Sequence, residues 1–256
     1  MCVDNDSYPP IPPIAGGSAG GQDLRLTSAD GTRFMAYAAR AAKPTGAGMI
    51  VIPDVRGLHP YYKALADRFA EIGVDAVALD FFARTAQTDD RGDAFPFLEH
   101  VPLTKPETLQ ADIAACAAHL RGKDGGQVRS LFSVGFCFGG AVSYLQAASN
   151  LNYAGVIGFY GWPLGLKRWP EKPKPIDAAA QYKAPVLSIY GGADEGIPEA
   201  DRAAFDAALK QAKVPHEQHV YPNAPHSFFD RKYQEFADAS ADAWSRVRTF
   251  VSANTK

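Results

Sequence analysis

The segment Gly135-Phe136-Cys137-Phe138-Gly139-Gly140 follows the apolar run Leu131-Phe132-Ser133-Val134 and leaves the chain few ways to fold. It has the form Gly-x-nucleophile-x-Gly. A strand that ends there and turns at once into a helix holds its middle residue in a strained backbone conformation, with the side chain presented. A Cβ at Gly135 or Gly139 would crowd the crossing of strand and helix. The middle residue is Cys137, so any chemistry here is thiolate chemistry. Taken alone, the segment also suits a strand–helix connection with a buried, inert cysteine.

Two later segments weigh against that bland alternative. Ile189-Tyr190-Gly191-Gly192-Ala193-Asp194 reads as a strand ending in glycines and an aspartate. Val220-Tyr221-Pro222-Asn223-Ala224-Pro225-His226-Ser227-Phe228 places a histidine in a proline-rich loop after another strand. Nucleophile, acid and histidine follow in the chain order of the α/β-hydrolase triad. Each lies where a strand runs out into a loop, the edge at which sites collect in open α/β sheets. Glu195 competes with Asp194, and the Gly-Gly-Ala-Asp phrase favours the aspartate. His216 and His219 alternate along one strand and His119 sits in a helical pattern, so structural roles suit all three. His59 and His100 fall in loops at the possible rim of a pocket.

These segments, with Val51-Ile52-Pro53-Asp54-Val55-Arg56-Gly57 and Ala78-Leu79-Asp80-Phe81-Phe82-Ala83-Arg84, resemble the dienelactone hydrolase family from about residue 24 to the C-terminal helix. The resemblance implies an α/β-hydrolase fold and a Cys137-Asp194-His226 triad that needs no cofactor or metal. One oxyanion donor is expected in the N–H of Phe138, at the positive end of the helix. The resemblance points to the N–H of Val55 for the other. It also implies a carboxylate at position 54 that tunes the resting thiol. Family members carry glutamate there, Asp54 is one methylene shorter, and an Asp54 that merely caps a turn with Arg56 remains an equal alternative. Family members that take dienelactone hold its carboxylate with arginines. Arg231 lies one residue beyond such a position, and Arg84 and Arg91 are candidates for the second. Phe95, Tyr160 and Trp162 fall in or beside the site-facing loops, where they line a pocket or pack the loops.

Composition narrows the class. A chain of 256 residues with 46% apolar residues suits one α/β domain with a large core. The net charge of −2 gives no reason to expect nucleic acid or an anionic membrane as partner. No apolar run approaches the ~20 residues that span a bilayer, and the first residues lack the pattern of a secretory signal. The three cysteines Cys2, Cys116 and Cys137 lack metal-ligand spacing and fit a reducing cytoplasm. Cys116 suits a helix core and Cys2 a tail.

Residues 1–22 are rich in proline and glycine and read as an arm ahead of a single domain over 23–256. Segments 24–27 and 33–39 read as an antiparallel hairpin around Ala29-Asp30-Gly31. Strands are then expected at 48–53, 74–80, 129–134, 153–160, 185–190 and 216–221, so the sheet is mostly parallel with helices on both faces. Helices are expected at 61–72, 106–120, 138–148, 200–211 and 233–252. Two long connections, 84–104 and 162–182, have the length of functional loops.

The expected activity is hydrolysis of small esters or lactones, with a general carboxylesterase or thioesterase as a narrower variant. The alternative is a non-hydrolytic protein of this fold that uses Cys137 as a redox-sensing or ligand-binding thiol. Whether it is a monomer or a dimer is not legible.

Overall fold

A computed structural model describes residues 6–92, 94–166 and 168–256. Cys2 lies outside the described residues. Eight strands form one sheet: β1 (Ser18–Thr27), β2 (Arg33–Ala41), β3 (Ala47–Ile52), β4 (Asp75–Leu79), β5 (Ser130–Phe136), β6 (Tyr153–Phe159), β7 (Val186–Gly191) and β8 (His216–Tyr221). Their spatial order is β1-β2-β4-β3-β5-β6-β7-β8. β1 and β2 form the expected hairpin, β2 runs antiparallel to β4, and every other pairing is parallel.

Seven α-helices accompany the sheet in the described residues: α1 (Pro60–Glu71), α2 (Phe97–His100), α3 (Pro106–Arg121), α4 (Phe138–Gln146), α5 (Pro175–Ala178), α6 (Glu199–Gln211) and α7 (Ala237–Asn254). β3, β4 and β5 are buried along their whole length, as strands covered on both faces must be. Two glycines of β6 show the two layers. A Cβ on Gly155 would meet Phe250 of α7, and one on Gly158 would meet Tyr144 of α4. Residues three apart on a strand point to opposite faces, so α4 and α7 sandwich the sheet. Along α7, Ser240, Ala243, Trp244, Val247, Phe250 and Val251 make the buried stripe.

Two boundaries differ from the sequence expectation by more than two residues. β1 begins at Ser18, inside the proposed arm, because Ser18 to Gln22 pair with Ala38 to Ala41 of β2. The last helix begins at Ala237 rather than at 233, since the preceding stretch is spent on turns after His226. The long connections contain the short helices α2 and α5. His59, placed at a pocket rim by sequence, is instead the buried N-cap of α1, its Nδ1 accepting the N–H of Tyr61 at 3.2 Å.

Candidate active site

Parallel register brings the ends of β3 to β8 to one edge. Ile52 pairs with Gly135, Phe136 with Phe159 and Gly191 with Tyr221, so the loops that follow emerge together. At the end of β5, Cys137 has φ 56° and ψ −116° and is 4% exposed. That left-handed conformation costs a non-glycine residue about 1–3 kcal/mol, which the surrounding packing must offset. Its N–H donates to Phe159 O at 3.0 Å. Gly135 and Gly139 are required by close approach. A Cβ on Gly135 would lie 1.9 Å from Gly139 O, and one on Gly139 would lie 2.3 Å from both Ile52 O and Pro53 O. The second contact sets the loop after β3, which carries Asp54 and Val55, against the first turn of α4. Phe138 is the first residue of that helix, where an N–H has no intrahelical acceptor and the helix dipole is positive.

The loops after β7 and β8 are stitched together. Gly192 N–H donates to Tyr221 O at 2.7 Å, and Ala193 N–H to Ala224 O at 3.0 Å. A Cβ on Gly191 would meet Ala224 O at 2.3 Å, so glycine is needed for the loops to touch. This contact carries Asp194 to His226, whose Nδ1 lies 2.6 Å from Asp194 Oδ2. Asp194 Oδ1 accepts the N–H of Gly196 at 2.9 Å. Asp194 is buried and its rival Glu195 is exposed. The imidazole is held from both sides, with Trp162 stacked at 5.1 Å and Tyr160 tilted at 4.8 Å. Both rings follow β6, the strand beside the one that ends in Cys137.

Asp54 is fully buried, and its Oδ1 accepts the N–H of Arg56 at 2.8 Å, the turn-capping bond. Its own N–H donates to Tyr62 Oη at 3.1 Å. Nearby lies a carboxyl group that sequence reasoning missed. Asp230 is fully buried, accepts the hydroxyl of Tyr160 and the N–H of Arg231, and lies in the electrostatic field of Asp54 and His226. Burial pushes its pKa up to about 7, against the opposing pull of those hydrogen bonds. No motif marks it; in sequence it is one polar residue after Phe228-Phe229.

The sign of that shift gives a prediction. Between about pH 4 and 7 folded Asp230 keeps a proton that the unfolded chain has released, so this group makes stability fall as pH rises through that window. Above about 7 both states are ionised and the slope ends. Asp230→Asn should flatten the difference between urea midpoints at pH 5 and pH 7 relative to wild type. Parallel profiles for the two proteins would assign the slope to other groups.

Two of the arginines selected from sequence are committed elsewhere. Arg84 is clamped between Asp112, at 2.7 and 2.9 Å, and Asp30, at 2.8 and 3.1 Å. Arg91 is buried in a two-point contact with Asp80, at 2.8 and 2.9 Å. Their charges are met, so neither is available to a substrate carboxylate. Phe95 is likewise loop packing: the Arg91 guanidinium lies 4.4 Å over its ring, and His100 stacks on it at 4.9 Å. Arg231 is exposed on the turn after His226.

A groove of about 1140 Å3 lies at the other edge of the sheet, beside Lys43 and Gly73, and among the described residues neither His nor Cys lines it. The candidate site is therefore taken at the edge with Cys137, where Asp194 and His226 also meet. The sequence profile of the dienelactone hydrolase family matches residues 34–254. The chain belongs to the dienelactone hydrolase family. It is 31% identical over 221 residues to an Escherichia coli O157:H7 protein provisionally named carboxymethylenebutenolidase, covering 85% of this chain and 81% of that one. It is 29% identical over 257 residues to a carboxymethylenebutenolidase from Rhodococcus opacus, covering 98% and 96%. Among solved structures, a provisionally named dienelactone hydrolase from Klebsiella pneumoniae superimposes with a TM-score of 0.79 at 26% identity, covering 91% of this chain and 98% of that one. These likenesses make the protein a carboxylic ester hydrolase of the α/β-hydrolase fold. No helix of the described residues is long and apolar enough to cross a membrane.

Proposed function

We infer that this hydrolase cleaves small esters or lactones through an acyl-thioester on Cys137, with no cofactor. The observation that carries this reading is the 2.6 Å contact of His226 with Asp194, at the same sheet edge as a cysteine held at positive φ on the elbow. With Nδ1 held by Asp194, Nε2 of His226 is the ring nitrogen that takes the thiol proton. The sulfur attacks the carbonyl carbon, and the N–H groups of Phe138 and Val55 stabilise the resulting oxyanion. Collapse expels the alkoxide, which leaves with the proton from His226. His226 then takes a proton from water, the hydroxide attacks the thioester, and the thiol leaves with that proton as the acid departs. A sensor thiol would need no such base.

Rapid quenching during turnover of p-nitrophenyl acetate should trap one acetyl group on the peptide that contains Cys137. Turnover with the label on another residue, or with none, would remove the thioester from the mechanism. Asp54→Asn separates the two roles of that carboxylate. A thiol-tuning role moves the midpoint of the iodoacetamide alkylation rate against pH, whereas superimposable profiles leave Asp54 as a turn residue.

A further inference from the structure

A cavity of about 330 Å3 lies between α3, α4 and the loop that follows β6. Phe138 and Trp162 form part of its wall. They are also the residue that carries the first oxyanion donor and the ring stacked on His226. From Phe138 the cavity follows α4 past Val142 and Leu145 to Gln146. Eight residues of helix rise roughly 12 Å. Leu109 and Ile113 of α3 supply the facing wall, and Trp169 packs edge-on against Phe138 at 6.5 Å.

Two of the polar groups around this space, Lys172 and Gln146, are held by neighbours, and the exposed Lys105 and Glu107 line it at the start of α3. Lys172 donates to the carbonyls of Pro102 and Thr104, so its ammonium is tied to the rim. Gln146 Nε2 donates to Gln110 Oε1 at 2.9 Å. Gln146 Oε1 is buried without a donor among the described residues, which gives the far end one acceptor. A trough walled by Leu109, Ile113, Val142, Leu145 and Trp169, starting at Phe138, the residue expected to carry an oxyanion donor, suits an apolar chain.

We propose that the cavity along α4 holds a linear apolar chain of about eight carbons, so that the substrate class is neutral medium-chain esters. The proposal rests on the hydrolase reading above and adds to it the part of the substrate remote from the reacting carbonyl. Burial of one methylene favours binding by roughly fourfold, so an octyl chain should gain at least ~30-fold in kcat/KM even with partial burial.

Two substrate pairs test this: p-nitrophenyl octanoate against p-nitrophenyl acetate, and octyl acetate against ethyl acetate. A gain of that size in either pair supports the proposal, and no gain in both overturns it. Octyl p-nitrophenyl ether, which has no carbonyl, reads binding without chemistry. Calorimetry should show it binding Cys137→Ala protein as tightly as wild type, and at least ~10-fold more weakly after Leu145→Trp fills the trough. Gln110→Trp, on the half-buried face of α3, serves if Leu145→Trp does not fold. Ether affinity that neither tryptophan alters would overturn the proposal. Ether binding that responds to them, in a protein that hydrolyses no ester, would uphold the cavity and overturn only the hydrolytic reading.

Discussion

Cys137→Ala should reduce hydrolysis of p-nitrophenyl acetate to the level of buffer while the far-UV circular dichroism and the urea midpoint stay close to wild type. The side chain is small and its environment already packed, so losing one sulfur removes little burial. On the proposed mechanism, what is lost is the nucleophile itself. Cys137→Ser is the sharper comparison, because a hydroxyl ionises far less readily than a thiol. The elbow, the Phe138 N–H and the His226–Asp194 pair all remain. A loss of ~10²-fold or more is expected, since an activated cysteine depends on thiolate character as well as placement. Alanine protein that turns over at the wild-type rate would remove Cys137 from the chemistry and leave the strained elbow without a purpose.

Asp80→Ala should be the most destabilising single change on the site side of the sheet, by about 3–5 kcal/mol, because it strands a buried guanidinium. Asp80 and Arg91 are both buried, and Asp80 also accepts the N–H groups of Leu58 at 3.3 Å and Phe82 at 3.0 Å. Removing the carboxylate leaves Arg91, among the described residues, the carbonyls of Thr88 and Asp90 and the rings of Phe82 and Phe95 but no counter-charge, and frees the N–H groups of Leu58 and Phe82. Urea unfolding measures the loss. Adding Arg91→Met should restore part of it, because the double variant no longer buries an unpaired charge. A cost below ~1 kcal/mol for Asp80→Ala alone would mean that water reaches the guanidinium. Arg91 would then return as a candidate for binding an anionic substrate.

The sequence by itself determined the features that are local in the chain. Gly135, Cys137 and Gly139 mark the elbow because a strand that reverses into a helix leaves no room for a Cβ at the positions two before and two after its middle residue. The apolar runs of β3, β4 and β5 are legible because a strand covered on both faces has no polar side. Asp194 and His226 could be placed at strand ends from the glycines and prolines around them. The arginines could not be assigned in this way. Arg84 and Arg91 have unremarkable neighbours in the chain, and what fixes them is Asp112 and Asp80, 28 and 11 residues away. The same holds for β1, whose Ser-Ala-Gly-Gly start is a poor strand until β2 pairs with it. It holds also for Asp230, whose proton affinity comes from burial between Tyr160, Asp54 and His226. Only the tertiary structure decided these, because a charge or an edge strand takes its energy from partners that folding brings close and that no pattern along the chain records.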